Sequence, residues 1–501
     1  MRSIPSSRVL PIWKDRPALL ILLLSFVARA IAAASVGPGF DEAYYHLFAK
    51  HLALGTFDHP PIVAVTAGLG GWLTGVWHPL TLRFGALLLF SVAQIGFYSL
   101  AHDLYDRPAA MISLLLPLAT PFFAVGAGAF VLPDNGLVAA WIWALWVLAR
   151  LRNRQLAPTG GYLALGALIG LAMLAKYHAV LLPASFVLAT FFDPELRKMW
   201  RDPRLYLALL VAVLVFLPNL LWNAENGWIS LTNQFGKGTS GGFRFRFDLL
   251  GQAIGGQLGY LTPWVCVVLW IGAFKKRKSA TDDRWLLAFF LLPVLGMTLI
   301  GLTRGILPHW TMPGYIAALV LASGWLAGKR WERGFLRGSL IANALLIILV
   351  IVQAHTGLIP LKPKADPTLD PVGWRETILT LEQQGVLASG DVLFAHKWFT
   401  GGEIAWADRG EHPVVYLGDD PHAFAWWTPE TAWTGTSGVL ITQARYGLDP
   451  EKLLGSRFER VEEIPVPPIK RGKTLLEMRA WRVEGLNHPQ PPPYGPSAVN
   501  R

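Results

Sequence analysis

The sequence predicts a polytopic α-helical membrane protein that ends in a small α/β domain, and three observations support this. The 501 residues are 53% hydrophobic and only 15% charged, whereas soluble proteins carry about 25% charged residues. Apolar runs suited to crossing a bilayer alternate with short basic clusters up to residue 357. After residue 360 the composition becomes polar and the apolar runs become short.

The apolar runs predict about eleven transmembrane helices. They lie at 17–36, 81–101, 109–127, 136–150, 160–175, 178–192, 204–222, 250–274, 285–303, 310–328 and 338–357. Several runs are shorter than a full crossing, so one of the two beside Lys176 is a candidate re-entrant segment. The small residues AIAAAS end the first run, which we interpret as an uncleaved signal anchor rather than a cleaved signal peptide.

The basic residues predict the orientation, because Lys and Arg concentrate in cytoplasmic loops. With the N-terminus in the cytoplasm, the inner loops hold most of the basic clusters, including KKRK at 275–278. The outer loops hold only Lys50, Lys176, Lys237, Arg244, Arg246 and Arg304. An odd number of spans then places the C-terminal domain on the outer, non-cytoplasmic side of the membrane. This distribution also explains the net charge of +11 without a nucleic-acid partner.

The C-terminal domain is predicted over 361–485. Its short apolar runs DVLFAH, HPVVYLG and GVLITQ are typical of strands. The segment DPVGWRETILTLEQQG is typical of a helix that Gly385 ends. Residues 486–501 are rich in proline and are predicted to be disordered.

The stretch GFDEAYYHLFAKHLALGTFDHPP, at 39–61, places many titratable groups directly after the first span. We predict that Asp41 caps a helix over 41–54, and that the apolar face of this helix lies toward lipid in the membrane interface. The motif FDHPP predicts a rigid turn, because its prolines fix their φ angles. Interfacial helices are predicted across 41–77. The candidate functional side chains here are Asp41, Glu42, Tyr44, Tyr45, Asp58 and His59.

Further polar residues occur in other loops predicted on the same side. They are Asp134 in VLPDNG, Lys176 and Tyr177 in LAKYHAV, Arg304 and His309 in TRGILPHW, and Arg244 and Arg246 in the loop 223–248. Carboxylates beside cations are suited to accepting a proton from a nucleophile and to binding phosphate. Each residue also has a purely structural interpretation, such as a helix cap or a headgroup contact, so the functional prediction depends on their joint placement.

These motifs resemble the bacterial C-type glycosyltransferases related to the protein O-mannosyltransferases and the lipid A aminoarabinose transferase. The resemblance covers about residues 1–357 and is carried by FDEAYYHLFAKHLALGTFDHPP, LPDNG, LAKYHAV and LPHW. It implies an inverting transfer of a sugar from a polyprenyl-phosphate donor, at the periplasmic face of the inner membrane. The implied acceptor is lipid A, a polysaccharide, a lipid or a protein. The resemblance implies no required cofactor, and the spacing shows no metal site, although a divalent metal is possible.

The resemblance also implies roles for individual residues. Asp41 matches the acidic residue that is the presumed general base or acceptor-orienting group, and Asp134 matches a second acidic position at the outer end of a span. Glu42, beside Asp41, is a further catalytic candidate. His59 stands where the aminoarabinose transferases have a lysine, and Tyr44 replaces an arginine found in some relatives. The predicted donor-phosphate ligands are His59, Lys176, Arg304, His309, Arg244 and Arg246, and the predicted substrate contacts are Tyr44, Tyr45, Asp58 and Tyr177.

Two other classes of function remain open at the level of sequence. A transporter or flippase for a lipid-linked precursor would show charged residues deep inside its spans, or an internal repeat. We find no repeat, and the main charged exception is Arg29, which we expect to extend outward from the end of the first span. The other class is a membrane scaffold whose function lies in the C-terminal domain.

Overall fold

The helical region runs from α1 to α16 in the computed structural model, which describes residues 12–236, 245–275 and 282–496. The first helices are α1 (Arg16–Ser35), α2 (Phe40–Lys50), α3 (Ile62–Thr74), α4 (Pro79–Leu104), α5 (Arg107–Leu115), α6 (Asp134–Arg152), α7 (Pro158–Ala175) and α8 (Leu181–Phe192). They are followed by α9 (Pro194–Lys198), α10 (Pro203–Glu225), α11 (Ile229–Gly236), α12 (Phe247–Leu261), α13 (Pro263–Phe274), α14 (Leu286–Ile300), α15 (Met312–Leu326) and α16 (Glu332–Thr356).

Five of the described helices are long and apolar enough to cross a bilayer, namely α1, α4, α7, α10 and α16. Two bent pairs raise the number to as many as seven; they bend by 109° after α8 and by 95° between α12 and α13. The span predicted at 250–274 is therefore broken, at Thr262, whose φ is +61°. The total of eleven crossings stays a prediction.

The helices differ in what surrounds them. Almost every side chain of α15 is buried, because α5, α13 and α14 pack around it. By contrast, α16 exposes large apolar side chains such as Leu345, Ile348 and Leu349. A helix that is apolar on its exposed side is typical of a membrane span, so α16 has the surface expected of a lipid-facing helix.

The C-terminal domain contains a five-stranded sheet in the order β2-β1-β3-β7-β4. Its elements are α17 (Trp374–Gln383), β1 (Val392–Ala395), α18 (Trp398–Asp408), β2 (Val414–Tyr416), α19 (Phe424–Trp427), β3 (Gly438–Gln443), α20 (Pro450–Leu454), β4 (Phe458–Ile464), β5 (Ile469–Arg471), β6 (Thr474–Leu476) and β7 (Met478–Leu486). β1 pairs in parallel with β2 and β3, whereas β7 is antiparallel to both β3 and β4. The three predicted strands form β1, β2 and β3, and the predicted helix forms α17.

The contact between α2 and the C-terminal domain changes the sequence-based interpretation of α2. Tyr44 and Phe48 are buried in one apolar core with Trp374 and Ile404 of the C-terminal domain. A Cβ added to Gly402 of α18 would lie 2.8 Å from the backbone nitrogen of Tyr44, so the two helix backbones nearly touch. The predicted lipid-facing orientation of this apolar face is therefore wrong. The apolar face of α2 packs against the C-terminal domain instead of lipid.

The described residues after β7 belong to the segment that the sequence predicts to be disordered, and Tyr494 among them contacts two other parts of the chain. Tyr494 stacks on Phe57 with ring centroids 4.5 Å apart. Its hydroxyl oxygen accepts a hydrogen bond from the backbone nitrogen of His422 at 2.9 Å. The described part of this segment thus lies against the loop that follows α2.

Candidate active site

A cavity of about 340 Å³ that several titratable side chains line, called here the first cavity, lies between the helical region and the C-terminal domain. The predicted site residues that line it are Asp41, Tyr44, Tyr45, Asp58, His59, Asp134, Lys176, Tyr177, Arg304 and His309. Residues that the sequence did not assign to the site also line it, among them His178, Gln234, Trp310, Trp398 and His422. Loops far apart in the sequence thus converge, as their joint placement on one face predicted.

Asp134 and Lys176 form a buried ion pair in the wall of the first cavity. Asp134 is the first residue of α6 and Lys176 directly follows α7, so the packing of these two helices brings the side chains together. The Lys176 Nζ lies 2.8 and 3.0 Å from the two carboxylate oxygens of Asp134. Both side chains are at least 95% buried. The Asp134 carboxylate is therefore engaged in holding Lys176, and its predicted catalytic role stays a prediction.

Glu42 is also fully engaged, with a partner that the sequence analysis missed. The buried guanidinium of Arg83 donates to both Glu42 oxygens, at 2.8 and 2.5 Å. The backbone nitrogens of Val131 and Gly39 donate to the same carboxylate. Gly39, not Asp41, is the N-cap residue of α2. The predicted role of Asp41 as a cap is therefore wrong. Glu42 holds the start of α2 in place, and its predicted catalytic role stays a prediction.

Asp58 joins the helical region to the C-terminal domain. Its Oδ1 accepts a hydrogen bond from His422 Nδ1 at 2.7 Å, and its Oδ2 accepts one from the Tyr44 hydroxyl at 2.9 Å. The Tyr44 oxygen in turn accepts from the backbone nitrogen of Ala423 at 2.8 Å. Burial of the His422 ring disfavours its charge, but Asp58 and Asp420 outweigh this effect and raise its pKa to about 9. His422 is therefore positively charged at neutral pH.

Asp41 is the carboxylate of the first cavity whose surroundings leave it open to a substrate. It lies in the first turn of α2, and its side chain is exposed to cavity space. Desolvation by the surrounding protein is the main cause that raises the pKa of Asp41, to about 6. The nearby carboxylates Asp58 and Glu42 add to this increase, and the positive charge of His422 opposes it. A carboxyl group with this pKa is mostly ionised at neutral pH and accepts a proton readily.

His59 lines the first cavity, and its environment there determines its protonation state. Burial lowers its pKa to about 4, and Lys176 adds to this while Asp58 opposes it. The imidazole is therefore neutral at physiological pH. It is a weaker phosphate ligand than a permanent cation, so the positive charge on this side of the cavity belongs to Lys176 and Arg304.

A second cavity of about 670 Å³ adjoins the first. Asp41 and Leu132 line both, so Asp41 lies where the two cavities meet. The second cavity is bounded by Phe130, by Val350 and Ala354 of α16, and by the segment 367–372 of the C-terminal domain. A molecule that enters through the second cavity therefore meets Asp41 before it meets the contents of the first.

Arg246, a predicted phosphate ligand, does not line the first cavity. Arg246 is exposed and pairs with Asp248, two residues away, at 2.7 Å. Arg244 lies outside the described residues. Within the described ranges, no group of three or more His, Cys, Asp or Glu side chains is arranged to hold a metal ion.

The chain is similar to known enzymes in sequence. Residues 58–222 match the family model described as dolichyl-phosphate-mannose-protein mannosyltransferase. The lipid A galacturonosyltransferase RgtD of Rhizobium johnstonii is 27% identical over 369 residues, which cover 69% of this chain and 73% of that protein. The undecaprenyl phosphate-alpha-4-amino-4-deoxy-L-arabinose arabinosyl transferase of Edwardsiella ictaluri is 25% identical over 60% of this chain and about half, 54%, of its own.

The fold is similar to that of a solved membrane enzyme. The crystal structure of ArnT from Cupriavidus metallidurans bound to undecaprenyl phosphate superimposes with a TM-score of 0.64 at 16% identity, covering 94% of this chain and 99% of that one. The fold match includes the C-terminal domain, for which the motifs showed no resemblance. The family model runs from Asp58 in the FDHPP turn to Trp222 in α10. It therefore includes Asp134 and Lys176, which line the first cavity. In sequence and in fold, the chain is thus similar to membrane glycosyltransferases of the C-type superfamily.

Proposed function

We propose that this protein transfers a sugar from undecaprenyl phosphate to a lipid A-type acceptor on the periplasmic face of the inner membrane, with inversion at the anomeric carbon. The observation that carries the proposal is the position of Asp41 at the junction of two cavities. The first cavity contains the cations that a donor phosphate needs, and the second leads to α16. A base at the junction meets both substrates.

The donor phosphate is assigned to Lys176 and Arg304. Both line the first cavity, and Lys176 is fixed by its two short contacts with Asp134. The departing group is a phosphate, and fixed cations stabilise the charge that develops on it. The ArnT structure named above holds undecaprenyl phosphate, and the E. ictaluri relative is named for a sugar carried by it. These names support undecaprenyl phosphate as the carrier.

The reaction is a single displacement. The acceptor hydroxyl oxygen forms a bond to the anomeric carbon while the bond from that carbon to the phosphate oxygen breaks. Asp41 takes the hydroxyl proton, and undecaprenyl phosphate leaves with the bonding electron pair. Attack from the face opposite the leaving group inverts the anomeric carbon, which agrees with two cavities that meet at the base.

The acceptor is assigned to the second cavity. Its wall includes Val350 and Ala354 on the apolar helix α16, so an amphiphile has a path from the lipid phase. R. johnstonii RgtD is named for action on lipid A. A lipid A-type acceptor combines a membrane anchor with sugar hydroxyls and fits this path.

The proposal is tested by incubating the purified full-length chain with undecaprenyl phosphate carrying galacturonic acid, aminoarabinose or hexoses. Lipid A, lipopolysaccharide core and a lipid without sugar serve as acceptors. We expect a product heavier by one sugar, with release of undecaprenyl phosphate and an inverted anomeric configuration by NMR. A parallel reaction with EDTA measures metal dependence. Absence of any glycosylated product across the panel, from protein that binds undecaprenyl phosphate, would overturn the proposal.

The periplasmic location is tested separately by cysteine labelling in intact cells, after Cys266→Ser removes the native thiol. Lys473→Cys in the C-terminal domain and Arg333→Cys at the start of α16 are both exposed positions. We expect a membrane-impermeant thiol reagent to label the first and not the second. Labelling of position 333 alone would reverse the orientation.

A further inference from the structure

The wall of the first cavity is incomplete without the C-terminal domain. Trp398, at the start of α18, and His422, before α19, both line this cavity. The two rings stack on each other with centroids 4.6 Å apart. Trp398 also packs against Tyr44 of α2 at 4.8 Å. Side chains of the C-terminal domain therefore share a surface with the catalytic candidates of the helical region.

His422 has contacts that packing alone does not require. Its ring binds Asp58 at 2.7 Å on one side and reaches Asp420 at 3.3 Å on the other. The side chain is 92% buried. Its φ is +50°, a left-handed conformation that residues other than glycine adopt rarely. The local backbone is thus held in an uncommon state that directs the imidazole toward Asp58.

We propose that His422 is a positioning residue, which fixes Asp58 and Tyr44 in the wall of the first cavity and places a positive charge near Asp41. The proposal rests on the function proposed above and assigns part of the active site to the C-terminal domain. The consequence for Asp41 follows from electrostatics, because a nearby cation favours the carboxylate form and so lowers the pKa of Asp41.

Other charged groups face the same two residues. The charges of Asp58 and Glu42 raise the pKa of Asp41 and so oppose the effect of His422. Around His422 the neighbouring titratable groups are Asp58, Asp420, Tyr44, Tyr494 and His59. His422 is the cation that lowers the pKa of Asp41. Removing its charge leaves Asp41 among carboxylates, so the pKa of Asp41 must rise.

The test uses His422→Asn in the full-length chain. Asparagine tolerates a left-handed φ better than most residues and keeps a hydrogen-bond donor, so the variant removes mainly the charge. The matched control is His412→Asn. His412 forms a similarly buried 2.7 Å pair with Asp408 in the same domain, and it lines neither cavity. Equal thermal unfolding midpoints for the two variants exclude a folding defect particular to His422→Asn.

Two readouts follow. The first is the pH at which dicyclohexylcarbodiimide, which reacts with protonated carboxyl groups, labels Asp41 half-maximally by mass spectrometry. It needs no substrate, and we expect it to move to higher pH in His422→Asn and to stay unchanged in His412→Asn. The second is the pH profile of kcat/KM, whose acid limb should move in the same direction while the plateau falls by about 10- to 100-fold, the cost typical of misplaced site groups.

The outcomes separate the two proposals. If wild-type protein transfers no sugar but the labelling shift occurs, the proposed function fails and the positioning role of His422 stands. If wild-type protein is active and His422→Asn keeps both the wild-type labelling pH and the wild-type kcat/KM profile, the positioning role is overturned. His422→Arg, which retains a positive charge, should return the labelling pH toward the wild-type value.

Discussion

The two ends of the helical region handle charge differently. At the end that carries the C-terminal domain, Glu42 pairs with Arg83 and Asp134 pairs with Lys176, across 41 and 42 residues of sequence, and all four side chains are at least 95% buried. The opposite end has exposed pairs between residues two positions apart, such as Asp282–Arg284, besides the long-range buried pair Arg152–Asp193. Buried pairs fix geometry, whereas exposed pairs keep charged loops in water. The buried pairs at the first end also line the two cavities, since Asp134 and Lys176 line the first and Glu42 and Arg83 line the second, whereas Arg152 and Asp193 line neither.

The largest expected effect comes from breaking the buried pair that anchors α2. Arg83→Met leaves the Glu42 carboxylate buried without its cation, and losses of about 3–5 kcal/mol in the free energy of unfolding are typical of such changes. Chemical unfolding in detergent measures the loss. Replacing both partners, as Arg83→Met with Glu42→Gln, should recover part of it, because no unpaired charge remains buried.

The opposite end offers a matched control, since Arg152 and Asp193 also form a buried pair there, 41 residues apart. Arg152→Met should cost comparable stability but leave the kcat/KM of the folded fraction unchanged, because neither residue lines the two cavities. A large loss of kcat/KM in folded Arg152→Met would break the comparison, since the position of the pair would then not matter.

The next largest effect concerns Asp41. Asp41→Asn keeps the size of the side chain but cannot accept a proton, so we expect turnover to fall by about 10²-fold or more with an unchanged unfolding midpoint. In the wild type, kcat/KM should fall as the pH drops through about 6, since protonation at the raised pKa of Asp41 removes the base. Steady-state kinetics from pH 5 to 8 checks both. Wild-type turnover by folded Asp41→Asn would exclude Asp41 as the base.

The sequence predicted the parts of this arrangement that depend on local pattern. Membrane helices, the strands β1 to β3 and the group of loops around Asp41 follow from hydropathy, alternation and motif. The sequence did not predict which groups the buried charged side chains contact. Arg29, expected to extend outward, is buried and donates to the backbone oxygen of Gly128 at 2.7 Å. Such partners depend on tertiary packing.

The same limit explains the error about α2. An amphipathic helix after a membrane span has the same periodicity whether its apolar face meets lipid or protein. The five-stranded sheet and α18 that cover it lie more than 300 residues later in the chain. The Glu42–Arg83 pair, which was also missed, did leave a signal in the sequence. Arg83 is a lone charge near the start of an otherwise apolar span.

A smaller effect is expected where the C-terminal domain rests on α2. Gly402→Ala places a Cβ within 3 Å of the Tyr44 backbone, so α18 must shift, and overpacking of this kind costs about 1–3 kcal/mol. Because the shift moves Trp398, the KM for the donor should rise more than kcat falls. Gly338→Ala on α16 is the control, since a Cβ there meets nothing within 4 Å. Equal stability of the two variants would show that the domain contact is loose.

The smallest effect is expected at the exposed end. Arg284→Ala removes a pair whose side chains are 77% and 39% exposed, and water and salt screen such pairs until they contribute little to stability. We expect the midpoint of thermal unfolding and kcat/KM to match those of the wild type, at both low and high ionic strength. The comparison between the two ends becomes quantitative when this variant is measured beside Arg83→Met under the same conditions. A stability loss in Arg284→Ala as large as that in Arg83→Met would mean that the burial of an ion pair does not decide how much the pair contributes to stability.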